Sequence, residues 1–329
     1  MSHGPTDSAV HLSSKRSRFA RRGIILSLRD LEQPDWPDLF AEADLNVMAV
    51  HLATVREFID YAASPRGSAV LRRFEQAGVA IEFEHHVMNE LLPRSLFSNA
   101  PEMFRVDEKG QRTNDKNFCC SADRAIKTIR DNAEALARSL PTRTGRYFFW
   151  PDDAANWCQC PKCRDLTPSD QNLILANTIL GGVRRFDPDA TACCLAYAQT
   201  LPAPRNVKPA DGVFLEFAPI HRSWRRPLND PKSAKNRKHV RWLEALLICF
   251  GTAGTQVCEY WLDASRHSGW KRPSKKLPDM STCLEADMAF YAQCGFESVT
   301  TFGVYLDPDY WRMHGVPPVI EYGRAARGC

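Results

Sequence analysis

A short apolar run followed by a helical segment recurs eight times along the chain, and this repetition restricts the fold more than any other feature. Each run is rich in β-branched and aromatic residues and is bounded by loop residues, which is typical of a buried β-strand. The eight predicted strands are GIILSL from Gly23, LNVMAVHL from Leu45, VAIEFEHH from Val79, RYFFWPDD from Arg146, ATACCLAYA from Ala190, VFLEFAPI from Val213, QVCEYWLD from Gln256 and SVTTFGVYLD from Ser298.

The segments between these runs have helical periodicity. Ile126, Ile129 and Ala133, for example, fall on one face of a helix. Eight strand–helix units predict a single-domain (β/α)8 TIM barrel with long βα loops. A doubly wound open sheet is the alternative. It favours a glycine-rich nucleotide-binding turn after an early strand, whereas the only similar run, GTAGT from Gly251, lacks the required spacing and precedes a strand.

Length and composition agree with a globular barrel. The chain has 329 residues and is 44% hydrophobic, which is enough for a barrel of about 250 residues with insertions. We predict that residues 1–22 form a disordered basic tail and that residues 23–329 form the catalytic-type barrel. The tail lacks the apolar stretch of a secretory signal, and no apolar run approaches membrane-spanning length. We therefore expect a cytoplasmic protein without a membrane partner.

The charge distribution bears on the partners. The chain has 43 basic and 39 acidic residues, a balance that argues against a nucleic-acid partner. The strongest basic cluster, HRSWRRPLNDPKSAKNRKHVR from His221, places Arg222 directly after a predicted strand. A guanidinium in that position matches the carboxylate of an anionic sugar. A solvated loop is the alternative interpretation of this cluster.

Acids collect where the predicted strands end, which is where TIM barrels carry their chemistry. With their aromatic neighbours, these site residues are Glu82, Glu84 and His86 on strand three, Trp150, Asp152 and Asp153 on strand four, Glu216 on strand six, Glu259, Tyr260, Trp261 and Asp263 on strand seven, and Asp307 on strand eight. Aromatic rings stack on sugar rings while carboxylates bind hydroxyls and transfer protons. The pattern predicts a sugar site, with an internal salt-bridge network as the alternative for the acids of strand three.

Several motifs make the chain similar to a known family. They are IEFEHHVMNELLPRSLF, PEMFRVDEKGQR, NFCCS, YFFWPDDAANWCQCPKC and VFLEFAPIHRSW. These motifs resemble the bacterial glycoside-hydrolase-like family catalogued as domain of unknown function 4838, a relative of the β-hexosaminidases and the α-glucuronidases. The resemblance extends from about Gly23 to about Asp307, is most specific at the PDD…W-C-x-C-P-x-C block, and implies a TIM barrel.

The more distant hexosaminidase pattern departs from this sequence in two places. Those enzymes end the fourth strand in glycine-aspartate-glutamate, and the glutamate is the acid; here Asp152 and Asp153 occupy these positions. Glu82, Glu84 and His86 are similar to their third-strand acids and histidine, with a spacing one residue shorter. An aspartate reaches less far than a glutamate, so the N-acetyl-assisted mechanism of the hexosaminidases does not carry over directly.

The residue chemistry predicts a carboxylate pair. A proton donor needs a raised pKa, which a neighbouring carboxylate and aromatic walls supply, so Asp153 is the predicted general acid. Asp152 is predicted to stay ionised and to stabilise the transition state. Glu259 is the predicted base or nucleophile, with Asp263 as the next choice.

These residues predict a glycoside hydrolase for an unidentified oligosaccharide or glycoside, with acidic and N-acetylated sugars among the options. A carbohydrate-binding barrel without turnover is the alternative, supported by the aspartate at Asp153. A zinc-containing nucleic-acid-binding protein is a third hypothesis, which the charge balance and the lack of a second C-x-x-C pair disfavour.

Cys158, Cys160 and Cys163 supply three soft metal ligands. The C-P-x-C ending is similar to half of a zinc knuckle, and a structural zinc ion needs four ligands. Cys119 and Cys120 offer the fourth; the spacing does not choose between them, and the resemblance favours Cys120. We predict a structural Zn²⁺ and no organic cofactor. A reduced, metal-free set and a redox pair of Cys158 with Cys163 are the alternatives.

Overall fold

Eight parallel strands close into a barrel in the computed structural model, which describes residues 17–153 and 156–328. The strands are β1 (Arg21–Ser27), β2 (Val47–His51), β3 (Ala80–His86), β4 (Arg146–Trp150), β5 (Thr191–Tyr197), β6 (Val213–Ala218), β7 (Gln256–Glu259) and β8 (Ser298–Phe302). They follow one another around the barrel in chain order, and β8 pairs with β1 to close it. The predicted TIM barrel and its eight strands are confirmed.

Helices surround this sheet. They are α1 (Trp36–Glu42), α2 (Val55–Ala63), α3 (Pro65–Gln76), α4 (Met88–Leu91), α5 (Asp123–Ser139), α6 (Pro168–Val183), α7 (Ala234–Phe250), α8 (Ala264–His267), α9 (Ser281–Gln293), α10 (Pro308–His314) and α11 (Val319–Arg327). The connection from β5 to β6 departs from the predicted alternation, because its one helical element is the 3₁₀ turn Ala198–Thr200. Instead, α6 packs against both β5 and β6. No helix in the described ranges is long and apolar enough to cross a membrane.

The start of α6 shows how local sequence fixes an element. Thr167 is the N-cap, and its side chain accepts a hydrogen bond from the backbone N–H of Asp170. The Asp170 carboxylate in turn accepts from the backbone N–H of Thr167, which completes a capping box. Pro168 occupies the first helical position, where its missing N–H has no cost.

The barrel begins before the predicted boundary at Gly23. Phe19 is fully buried, and Arg21 and Arg22 are the first residues of β1. The Arg22 guanidinium donates to the carbonyl oxygen of Phe19 at 2.8 Å and pairs with Asp44 at 3.2 Å. The two arginines therefore belong to the fold rather than to the tail. Residues 1–16 of the predicted tail lie outside the described residues.

Strand β7 is shorter than predicted, and this moves several candidate site residues. The sequence predicts a strand to Asp263, but β7 ends at Glu259. The chain then turns, with the backbone N–H of Asp263 donating to the carbonyl oxygen of Tyr260 at 3.4 Å. Side chains beyond Glu259 therefore do not alternate between two faces, and the prediction that Tyr260, Trp261 and Asp263 belong to strand seven is wrong.

The contact between α5 and α6 depends on one glycine. A Cβ at Gly182 would overlap the backbone carbonyl oxygen of Arg130 on α5 and would lie 3.0 Å from the Cβ of Ala133. Its neighbour Gly181 is exposed, and a Cβ there would meet only the Nε of Arg130, at 3.5 Å. The two adjacent glycines thus differ in what surrounds them.

We expect Gly182→Ala to lower the free energy of unfolding by about 1–3 kcal/mol, because the added methyl group forces the two helices apart. Gly181→Ala is the matched control and should be neutral or stabilising by up to about 1 kcal/mol, since alanine has the higher helix propensity. Urea unfolding followed by circular dichroism measures both. Equal destabilisation by the two substitutions would contradict the proposed close contact.

Candidate active site

A cavity of about 220 Å³ opens at the C-terminal end of the barrel. Every strand from β2 to β8, or the loop that follows it, contributes to its wall. Below the cavity the barrel interior is filled by buried side chains, including Phe148, Cys193 and Phe214. The cavity therefore ends blind and is reached from the C-terminal rim, where TIM barrels bind their ligands.

Aromatic rings form much of the wall. Trp150, Tyr197, Tyr260, Trp270 and Phe302 all line the cavity. The rings of Tyr260 and Phe302 are stacked, with centroids 5.3 Å apart and planes 5° from parallel. Trp270 is 67% exposed and has a positive φ of 57°, so the loop holds a large apolar ring open to solvent. Such flat apolar surfaces suit the faces of sugar rings.

Two neutral histidines add hydrogen-bonding groups. Burial lowers the pKa of His51 to about 4 and also lowers the pKa of His86. The Nδ1 of His51 lies 2.7 Å from the carbonyl oxygen of Glu84, and the Nδ1 of His86 bonds the carbonyl oxygen of Pro151. A carbonyl only accepts, so each Nδ1 carries the proton and each Nε2 is left as an acceptor.

Two carboxylates reach the same cavity from different strands. Asp153 follows β4 and is exposed, and Asp263 follows β7 and is buried. Burial raises the pKa of Asp263, although its Oδ1 accepts from the Ser265 hydroxyl at 2.5 Å and from the Arg266 backbone N–H at 3.1 Å. Burial raises the pKa of Tyr197, and the neighbouring Asp153 carboxylate adds to that effect.

A buried polar layer lies beneath the aromatic wall. Gln256 donates to Glu84 at 2.9 Å and to Glu216 at 3.2 Å, and the Trp150 indole N–H donates to Glu216 at 2.7 Å. Burial raises the pKa of both carboxyls, and the two interact directly. Glu84 was predicted to bind substrate, but it lies below the cavity and does not line it.

Glu259 and Arg222 are withdrawn from the cavity and paired with each other. The Arg222 Nε donates to Glu259 at 2.7 Å, its Nη2 bonds Asp287, and the Tyr291 hydroxyl donates to Glu259 at 2.6 Å. Glu259 is 2% exposed and Arg222 is 1% exposed. Neither the predicted base nor the predicted sugar-binding arginine therefore reaches the cavity, because each satisfies the charge of the other inside the protein.

Three more predicted site residues have structural partners instead. Asp152 accepts from the Arg94 guanidinium at 2.6 Å and from the backbone N–H of Asn117, which ties it to the preceding βα loop. Asp307 is the N-cap of α10 and pairs with Arg29 and Arg272. Trp261 packs in the outer core and donates its indole N–H to Asp287 at 3.3 Å.

The cavity thus contains five of the predicted residues: His86, Trp150, Asp153, Tyr260 and Asp263. It also contains residues that sequence reasoning missed. His51 and Tyr197 are each the last residue of an observed strand and the last but one of a predicted strand, so the position alone was a usable signal. Trp270 lies in a loop after α8, and no pattern in the sequence marks it.

The thiols come together beside this site. The sulfur atoms of Cys119, Cys158, Cys160 and Cys163 all lie within 4.8 Å of one another and could hold a metal ion. The fourth member of this set is Cys119 and not the predicted Cys120, because the Cys119 side chain points at Cys160 and Cys163, at 3.7 and 3.9 Å. Cys120 contacts only the edge of the group, donating to Cys163 at 3.4 Å.

The closed barrel and its blind, aromatic cavity define a TIM-barrel protein with a candidate ligand site at the C-terminal rim. The chain belongs to the family described as domain of unknown function (DUF4838), whose model matches residues 29–306. No curated protein sequence matches the chain.

Solved structures with a similar fold include glycoside hydrolases. A GH42 β-galactosidase from G. stearothermophilus is 13% identical, with a TM-score of 0.54 over 94% of this chain and 57% of that one. A β-galactosidase from Rahnella sp. R3 is 13% identical, with a TM-score of 0.52 over 95% and 56%. A GH20 module of the pneumococcal exo-β-D-N-acetylglucosaminidase StrH is 10% identical, with a TM-score of 0.50 over 94% and 85%. This chain spans slightly more than half the length of the first two, and the likeness concerns the fold alone.

We expect Glu259→Ala to lower the free energy of unfolding by about 3–5 kcal/mol, because it leaves the Arg222 charge buried beside Asp287 without its main partner. Glu244→Ala, on the exposed face of α7, is the matched control and should change stability by no more than about 0.5 kcal/mol. Urea unfolding measures both. A small effect at Glu259 would show that this carboxylate is not a structural partner of Arg222.

Proposed function

We propose that the protein hydrolyses a glycosidic bond while holding the terminal sugar of its substrate in the cavity. The observation that carries this proposal is that two carboxylates, Asp153 and Asp263, converge on one cavity with aromatic walls. At about 220 Å³ the cavity is smaller than the roughly 300–1,000 Å³ of pockets for drug-sized ligands. A single sugar ring suits that volume. The similar solved barrels are named as glycoside hydrolases, which agrees with the proposal.

The environments of the two carboxylates support different roles. A proton donor to the leaving oxygen must remain protonated near neutral pH, and burial raises the pKa of Asp263 in that direction. Asp153 is exposed to solvent at the cavity and lies beside Tyr197, so it is accessible to water and substrate without a competing ion pair among the described residues. Asp153 then acts as the base or nucleophile. The sequence predicts Asp153 as the general acid and Glu259 as the base or nucleophile. In the present assignment Asp263 is the general acid, Asp153 is the base or nucleophile, and Glu259 has no catalytic role.

The remaining wall supplies binding and orientation. The Nε2 atoms of His51 and His86 are acceptors for sugar hydroxyls, and both rings are neutral at pH 7. Trp150 presents its ring to the cavity while Glu216 fixes its indole N–H. Trp270 covers the mouth, where it stacks on the substrate and excludes water.

A carbohydrate-binding barrel without turnover is the second candidate. The observation in its favour is that Asp263 also caps α8, so a structural role alone explains its position. In that case substitution of Asp263 alters no reaction, because there is none. Hydrolysis assays of the wild-type protein and of its Asp153 and Asp263 variants separate the two candidates.

We expect Asp153→Asn and Asp263→Asn each to reduce hydrolysis of 4-nitrophenyl glycosides or methyl glycosides by at least about 10²-fold, the usual contribution of an acid or base. Asparagine still caps helix α8, so Asp263→Asn should fold. Asp309→Asn removes an exposed carboxylate from α10 and should leave turnover unchanged. A folded wild-type protein that binds sugars but hydrolyses none of a panel would establish the binding barrel.

The leaving group and the pH separate the two roles in the same experiment. A nitrophenolate leaves without a proton, whereas methanol needs one, so Asp263→Asn should spare nitrophenyl glycosides more than methyl glycosides. The wild-type kcat/KM should fall as the pH rises through the pKa of Asp263, because only the protonated carboxyl donates, and this alkaline limb should vanish in Asp263→Asn. The opposite pattern in Asp153→Asn would return the acid role to Asp153.

The thiol cluster fits a structural zinc ion, which we also propose. Tetrahedral coordination with Zn–S bonds of about 2.3 Å places the sulfurs about 3.8 Å apart. The separations of Cys119 from Cys160 and Cys163, at 3.7 and 3.9 Å, match this value. Hydrogen bonds from the Cys119, Cys120 and Cys158 thiols lower the pKa of Cys163, whereas the pKa values of those three thiols are raised, so Cys163 is the sulfur of the group that ionises first. An ion there links the loop after β3 to the loop that carries Asp153.

We expect purified protein to contain about one zinc ion per chain, held by the four sulfurs of the cluster. Cys119→Ser should lose the metal and unfold at a lower temperature, and Cys120→Ser, one residue away, should keep it. Elemental analysis and a zinc-release assay with a thiol-blocking reagent measure both. Metal lost from Cys120→Ser and kept in Cys119→Ser would instead support the ligand predicted from the sequence.

A further inference from the structure

Arg266 carries an unpaired charge beside the cavity. It follows Ser265, which lines the wall, and its guanidinium carbon lies 5.6 Å from the centroid of the Tyr260 ring, which also lines the wall. Arg266 is half-buried, and within the described residues its side chain has no ion pair within 4.0 Å and no hydrogen bond. A guanidinium has five N–H donors, and partial burial without acceptors is unfavourable.

The acids nearest to Arg266 are already occupied. Glu259 accepts from Arg222 and Tyr291. Asp263 interacts with the Arg266 charge, but the bonds to its Oδ1 come from the Ser265 hydroxyl and a backbone N–H, and burial favours its neutral form. Within the described residues, neither acid forms an ion pair or a hydrogen bond with the guanidinium itself.

The Arg266 charge affects the pKa values of two neighbouring histidines. Burial and then Arg266 lower the pKa of His267, and the same two causes, followed by Lys235, lower the pKa of His221. Desolvation is the largest influence on the pKa of Arg266 and lowers it, although the Glu259 and Asp263 carboxylates act in the opposite direction. The Arg266 charge thus acts on both the loop after β6, which carries His221, and the loop after β7, which carries His267.

We propose that Arg266 binds the carboxylate of an acidic sugar, so that the substrate is a uronic acid or its glycoside. A planar guanidinium can donate two parallel hydrogen bonds to a carboxylate. The Tyr260 ring, which packs against the Arg266 guanidinium, limits the directions in which its N–H groups can point. This inference rests on the proposed function, because it specifies the sugar held in the same cavity. It also moves the anion-binding role predicted for Arg222, which is buried in its own ion pairs, to the next loop.

The test compares D-glucuronate and D-galacturonate with their neutral amides, which keep the ring and lose the charge. Isothermal titration of the wild-type protein should show the acids binding about tenfold more tightly than the amides, the equivalent of about 1.4 kcal/mol. Arg266→Ala should abolish this preference, and Arg266→Lys should keep part of it because the charge remains. Arg241→Ala removes an exposed charge from α7 and should preserve the preference.

Turnover of 4-nitrophenyl glucuronides and galacturonides, beside the matching neutral glycosides, distinguishes this inference from the proposed function. Faster hydrolysis of the acidic glycosides, lost in Arg266→Ala, supports both. Hydrolysis without preference for the acids overturns the inference and leaves the hydrolase. Binding of uronates through Arg266 without hydrolysis of any glycoside supports the inference and removes the hydrolase. Equal binding of acids and amides overturns the inference, as does a preference that survives in folded Arg266→Ala.

Discussion

Pairing of β8 with β1 is the constraint on which the candidate site depends. An open sheet would leave the ends of its outer strands far apart, whereas closure brings all the C-terminal ends to one rim. Residues as distant in sequence as His51 and Phe302 therefore face each other, with ring centroids 5.4 Å apart. Closure also creates an interior that must be filled. Below the cavity that interior includes Glu84 and Glu216, which both accept hydrogen bonds from Gln256, while Glu216 also accepts from Trp150.

The acids near the rim fall into two groups with different physical fates. Asp152 and Glu259 form ion pairs with Arg94 and Arg222 and hold loops in place, so their charges are compensated within the protein. Asp153 and Asp263 have no ion pair within 4.0 Å among the described residues and face the cavity. The thiol cluster and the Asp152–Arg94 pair connect the loops after β3 and β4, which positions the chain next to Asp153. Rigid support of this kind is what a site needs to hold reacting groups in place.

Much of the fold could be predicted from the sequence because buried strands and amphipathic helices are local patterns. The site was less predictable, since it depends on contacts between distant segments. Nothing near Glu259 in sequence shows that Arg222 and Asp287 will pair around it, and nothing near β7 shows that the strand stops there. The choice of Cys119 over Cys120 likewise depends on where a long loop places two adjacent side chains.

The blind end of the cavity has a consequence for how a polymer would be consumed. Phe148, Cys193 and Phe214 close the barrel below the wall, so a chain has an entrance and no exit. As a glycoside hydrolase of the proposed kind, the protein would take only a terminal unit into such a space, and the interior of a polysaccharide would not reach it. The rate of that proposed hydrolysis would then follow the number of chain ends in solution rather than the mass of polymer. A partner that cuts chains internally would raise the rate by making new ends, while this protein acting alone would hardly lower the viscosity of the solution.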